Sequence, residues 1–126
     1  MKLHADPRTS LNTVTAYGPG FIEINAQRHA GAVLCTPDQP LQDFSVQRFD
    51  QLTAEHFDDL LAFSPELVLI GTGATQRFAH PRLTRTLTAA GIGVESMTTQ
   101  AACRTYNILM TEGRRVLAVF LPETPE

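Results

Sequence analysis

Two short apolar runs, Leu67–Ile70 and Val116–Leu121, flank a third expected strand, Ile92–Met97, and the stretches between them carry apolar residues at helical spacing. The two runs without a polar face have to be covered on both sides, which is how parallel strands are buried. The stretch between the first two of these strands predicts a helix from Pro81, suited to a first helical position, to Gly91 as its stop, with Leu83, Leu87 and Ala90 facing inward. The next predicts a helix from its N-cap Thr99 to Gly113 that buries Ala102, Tyr106, Leu109 and Met110. The second half is therefore β-α-β-α-β, and short connections of this kind make parallel strands with right-handed crossovers.

The first half reads as β structure. Asn12–Tyr17 alternates into the turn sequence Gly18-Pro19-Gly20, and Phe21–Ile24 resumes extended. His29–Thr36 predicts one strand ended by Pro37-Asp38, and Gln39–Asp50 a short irregular one. A helix follows with Thr53 as N-cap, Leu52 and Phe57 as a staple around it, and an inner stripe of Phe57, Leu60 and Leu61. The expected class is α/β with three layers: a mixed sheet, a parallel β-α-β-α-β second half, and N-terminal strands that extend the sheet or form a second small one. Residues 1–126 read as one domain, since a chain of this mass buries about two-thirds of its unfolded surface. With 43% apolar residues and a net charge of −3, disorder is not expected.

The same arithmetic limits function. No apolar run approaches a membrane span, and the start, Met1–Asp6, lacks a signal-peptide core, so a cytoplasmic location is expected. The acidic balance argues against general nucleic-acid binding. Cys35 and Cys103 are too few for a disulfide framework, and His4, His29, His56 and His80 form no metal-ligand spacing with them, so neither metal nor cofactor is expected. Asp58 and Asp59 diverge by about 100° on a helix and cannot act together. No Ser/His/Asp elbow or phosphate-binding loop is present, and no catalytic set is assigned.

What remains are candidate binding residues. Gly71-Thr72-Gly73 follows a buried strand, and the carboxyl end of a parallel strand is where such sheets bind ligands. Its glycines serve either a phosphate or a tight turn that needs positive φ. No acidic residue occurs from Leu67 to Val94, whereas Arg77, Arg82 and Arg85 fall inside with His80. They favour an anion, or form a solvated face paired with acids such as Asp58 and Asp59. Cys103 sits in the first turns of a helix beside Arg104, so it is either an activated thiol or a small buried apolar group. Tyr106 and Asn107 place a phenol and an amide at the same site as Thr99, where the alternative is packing and a backbone hydrogen bond.

Several segments together resemble a known family. They are Tyr17-Gly18-Pro19-Gly20-Phe21-Ile22, Leu67-Val68-Leu69-Ile70-Gly71-Thr72-Gly73, Gly91–Met97, Thr99–Asn107 and Glu112–Val116. In order and spacing they are similar to the small bacterial and archaeal family of unknown function related to mitochondrial complex I assembly factor 3. The resemblance spans nearly the whole chain. It implies a three-layer α/β fold and a helper role without established catalysis. Two positions depart from it: Ala26 stands where the family often has Gly, and Phe44 where it often has Trp. The leading expectation is a non-enzymatic binding or assembly-helper domain that recognises a protein partner. The alternative is a site for a nucleotide or phosphorylated metabolite at Gly71-Thr72-Gly73 with Arg77, Cys103, Tyr106 and Asn107. Homo-oligomerisation is expected if Val116–Leu121 or an N-terminal strand lies at a sheet edge.

Overall fold

A computed structural model describes residues 11–123; the start at Met1–Asp6, with His4, lies outside the described residues. The strands are β1 (Val14–Gly18), β2 (Phe21–Ile24), β3 (Gln27–His29), β4 (Val33–Cys35), β5 (Gln42–Asp43), β6 (Leu67–Gly71), β7 (Gly93–Met97) and β8 (Val116–Phe120). The helices are α1 (Ala54–Asp58), α2 (Arg85–Ala89) and α3 (Thr99–Thr111), with 3-10 turns at Phe49–Gln51 and Asp59–Phe63.

A five-stranded sheet runs in the order β5-β4-β8-β6-β7. Within it β6 is parallel to both β7 and β8, while β4 is antiparallel to β8 and β5. The chain passes from β6 to β7 through α2, then returns across β6 to β8 through α3. That reversal of direction puts α2 and α3 on opposite faces, and the sheet switches direction between the carboxyl ends of β6 and β8. One face packs Val33, Cys35, Leu69, Val116, Ala118 and Phe120 against α3 and the small sheet. The other packs Leu34, Val68, Ile70, Leu117, Val119 and Leu121 against α1, its 3-10 extension and α2. The alternation along β8 is complete, and all five of its residues are buried.

The N-terminal strands form a second sheet of their own, in the order β1-β2-β3. Pro19-Gly20 closes the first hairpin with Gly20 at φ +79°, and Asn25-Ala26 closes the second with φ of +53° and +66°. Both central residues of that second turn have positive φ, the geometry in which Gly is usual at the second position. Ala26, where the family often has Gly, therefore sits in left-handed backbone.

Several expectations are corrected. Val116–Leu121 does not lie at a sheet edge: β8 bonds to β4 on one side and β6 on the other. The free edges are β5 and β7, and β1 and β3 in the small sheet. His29–Thr36 is not one strand, because His29 ends β3 and Val33 begins β4. Between them the chain changes sheets, and Gln47 takes the Ala32 N–H at 2.8 Å. The Pro81–Gly91 helix shrinks to Arg85–Ala89, preceded by turns in which Leu83 N–H donates to His80 and Thr84 N–H to Pro81. Three β-branched threonines at positions 84, 86 and 88 weaken helix formation there, and Ala90 is exposed rather than inward. The N-cap of α3 is Thr98, whose hydroxyl accepts from Ala101 N–H at 3.3 Å. Thr53 caps α1 as expected, with the His56 ring accepting its backbone N–H at 2.9 Å.

Candidate functional site

The chain after β6 is held from below by one side chain. Gly71 brings β6 so close to α3 that a Cβ there would lie 3.0 Å from both Cα and Oγ1 of Thr99 and 3.3 Å from the Ala102 Cβ. Gly73, at φ +93°, turns the chain back, and its N–H donates to Thr99 Oγ1 at 2.8 Å. Thr99 in turn donates its hydroxyl to the Leu121 carbonyl and its N–H to the Gly73 carbonyl at 3.0 Å. Thr72 N–H donates to Met97 at 2.8 Å, and its hydroxyl to the Thr75 carbonyl at 2.7 Å. The N–H groups of Thr72 and Gly73 thus bond within the protein. Of the two uses open to these glycines, close approach and positive φ are the ones the geometry displays.

Beyond the turn the chain is irregular from Ala74 to Thr84 and lies at the carboxyl end of β6. Here a cleft of about 470 Å³ opens, with Gln47–Asp50 as one wall, Thr72–Thr75 and Arg77 as the other, and Pro122 at its end. Arg48 and Asp50 pair across 3.1 Å on the first wall. Arg77, Arg82 and Arg85 are exposed, and none forms an ion pair among the described residues; the suggested partners Asp58 and Asp59 do not reach them. Phe78 follows Arg77 in the chain at 78% exposure, the more exposed of two large apolar side chains in the open among the described residues, the other being Ile108 at 59%.

The remaining candidates are placed elsewhere. Cys103 is fully buried against the sheet, and burial, with Cys35 nearby and against the pull of Arg104, pushes its thiol up to about 12. Burial likewise pushes Cys35 up to about 11, with the Tyr106 hydroxyl acting the other way. Cys103 is thus a packed apolar group, not an activated thiol. Tyr106 packs edge-on against Phe120 at 5.9 Å and donates its hydroxyl to the Asn12 carbonyl at 2.8 Å. Its phenol is pushed well above its usual range, first by burial. Asn107 accepts from Val14 N–H at 3.0 Å and donates to the Val14 carbonyl at 2.8 Å, clamping β1 onto α3. So Gly71, Thr72, Gly73 and Arg77 share one end of the sheet, whereas Cys103, Tyr106 and Asn107 hold α3 to its neighbours. The Gln47–Asp50 wall carries no sequence signal as part of the site. Thr99, expected as a cap and at one site with Tyr106 and Asn107, instead bonds Gly73 and Leu121.

A second cleft of about 540 Å³ lies at the opposite end of the sheet, between the Thr36–Gln39 loop, Phe63–Pro65 and Gly113–Val116. Among the described residues no cluster of three or more metal-ligating side chains occurs.

Residues 14–121 match the model of the family described as protein of unknown function (DUF498/DUF598). The chain belongs to that family. A Bordetella parapertussis crystal structure superposes with a TM-score of 0.87 at 49% identity, covering 92% of this chain and 99% of that one. NADH dehydrogenase [ubiquinone] 1 alpha subcomplex assembly factor 3 of Bos taurus is 32% identical over 82% of this chain and 56% of its own length. A Francisella tularensis relative named 13 kDa major membrane protein is 30% identical over 82% of this chain and 84% of its own. No helix among the described residues of this chain is long and apolar enough to cross a membrane.

Proposed function

We propose that this DUF498/DUF598 member is a non-catalytic binding module that recognises a protein partner in an assembly-helper role, in the cytoplasm or at a membrane surface. The observation that carries the reading is the Ala74–Arg85 segment. It presents an aromatic side chain at 78% exposure among three arginines that lack ion-pair partners among the described residues, beside an open cleft. Exposed aromatic and arginine side chains are the residue types that anchor protein interfaces. The likeness to assembly factor 3, which extends over 56% of the bovine protein, supports the same reading.

The test is purification of the tagged full chain from its own host, followed by native mass spectrometry. A defined complex with a second, different chain is the expected result. Recovery of the chain alone, or only with copies of itself, would contradict the proposal.

A second reading, a small phosphorylated ligand at Gly71-Thr72-Gly73 with Arg77, draws on the volume of the cleft, which falls in the range of ligand sites. It is the weaker of the two because the N–H groups of Thr72 and Gly73 already have partners. Thermal-shift screening against nucleotides and phosphates separates them. A ligand at a hundred times its dissociation constant adds about 2.7 kcal/mol, several degrees in a domain this size, and the shift should vanish in Arg77→Ala if this reading holds.

A further inference from the structure

We infer that the partner surface recognised at this end of the sheet is an acidic segment of a protein that also carries an apolar side chain, seated in the Gln47–Asp50 cleft and against Phe78. The inference rests on the binding-module reading and specifies the chemistry of its partner. It follows from charge, shape and apolar exposure taken together.

The chain as a whole is acidic, with a net charge of −3, yet no acidic residue occurs between Leu67 and Val94. The positive charge is therefore local to the largely exposed Ala74–Arg85 segment: Arg77 lines the cleft, and Arg82 and Arg85 follow it along the chain. Guanidinium groups without ion-pair partners among the described residues are matched by carboxylates, which they hold in two-point contacts. Phe78 adds an apolar demand, since burying a Phe ring that is 78% exposed against another apolar group removes that surface from water.

Concavity decides the class of partner. A bilayer is flat on the scale of a 470 Å³ cleft and would leave it unfilled. A polyphosphate chain offers only acceptors and has no apolar group to set against Phe78. A peptide offers carboxylates for Arg77 and an apolar side chain for Phe78, while Asp50 on the cleft wall is held by Arg48.

The experiment uses the immobilised full chain and labelled twelve-residue peptide pools. One pool is random in Asp and Glu with Leu, Val or Phe at every third position; a second contains no apolar residue; a third has Lys in place of the acids. The apolar acidic pool is expected to be retained at least about ten-fold more strongly than either control, and to lose about ten-fold in Arg77→Glu and in Phe78→Ser. Both positions are exposed, so the melting midpoint of each variant stays at the wild-type value. Failure to retain that pool, equal retention by the variants, or retention only of single-stranded DNA or of phosphatidylglycerol vesicles would overturn the inference. A host complex that survives in Arg77→Glu/Phe78→Ser overturns this surface and leaves the binding-module reading standing. Absence of any host complex overturns that reading itself.

Discussion

At the scale of single residues, the turn after β6 behaves as a joint between strand and helix. Thr99 accepts one buried hydrogen bond and donates another, to groups on two different strands' exits. Thr99→Val keeps the shape and strands both partners, so a loss of about 2–4 kcal/mol in urea unfolding is expected, against about 1 kcal/mol for removing the α3 cap in Thr98→Ala. Gly71→Ala forces a Cβ against the α3 backbone and should cost about 1–3 kcal/mol. The reverse substitution applies at Ala26, whose φ of +66° is one that glycine adopts freely. Ala26→Gly should therefore stabilise the protein by up to about 1 kcal/mol, and a lower melting midpoint would count against the turn geometry. The two thiols give a pH dependence with a definite sign. Their pKa values rise from 9.0 to about 11 for Cys35 and about 12 for Cys103, so the neutral forms favour the fold. That contribution is fully present below pH 9 and is lost as pH rises through 11 to 12. The urea midpoint should fall over that window, less steeply in Cys103→Ala, and a thiol reagent at pH 8 should label neither cysteine until the protein unfolds.

At the scale of elements, the legibility of the sequence followed the strength of the local signal. β6, β8 and α3 were readable to within a residue or two, because uninterrupted apolar runs and a thirteen-residue amphipathic helix leave few alternatives, and β7 followed from its place between two helices. The segment before β7 was not, since its Leu83 and Leu87 imitate a helical stripe while the threonines between them favour turns. β4 was overextended because its apolar run starts before the chain has changed sheets. The small sheet was foreseen only as an option, as no local pattern says which strand a hairpin pairs with. Its attachment depends on long-range polar contacts that spacing cannot reveal, above all the two bonds from Asn107 to Val14. Asn107→Leu should loosen β1 from α3, with the amides of β1 and β2 exchanging hydrogen faster while those of β6 and β8 keep their protection. Uniform acceleration across both sheets would mean that the small sheet is no separable unit.

At the scale of the whole molecule, the proposed binding surface lies at one end of the five-stranded sheet. The sequence pointed there through Gly71-Thr72-Gly73 and Arg77, and the cleft does open at the carboxyl end of β6. The cleft's second wall, Gln47–Asp50, comes from a part of the chain with no periodic signal, so only the folded arrangement brings it into view. Family membership, set by the match over residues 14–121, and the likeness to assembly factor 3 supply the prior for a helper role. Exposed Phe78 and arginines without ion-pair partners among the described residues are the surface on which the proposal rests. Partner capture through this surface should weaken as salt rises, because exposed guanidinium–carboxylate pairs are screened within about 10 Å at 0.1 M. The most direct measurement is capture from host lysate by wild type and by Arg77→Glu/Phe78→Ser, compared by isotope ratio in one mass-spectrometric run. The account predicts one protein depleted about ten-fold in the variant while the two baits melt at the same temperature. Equal recovery of every captured protein by the two baits would contradict it.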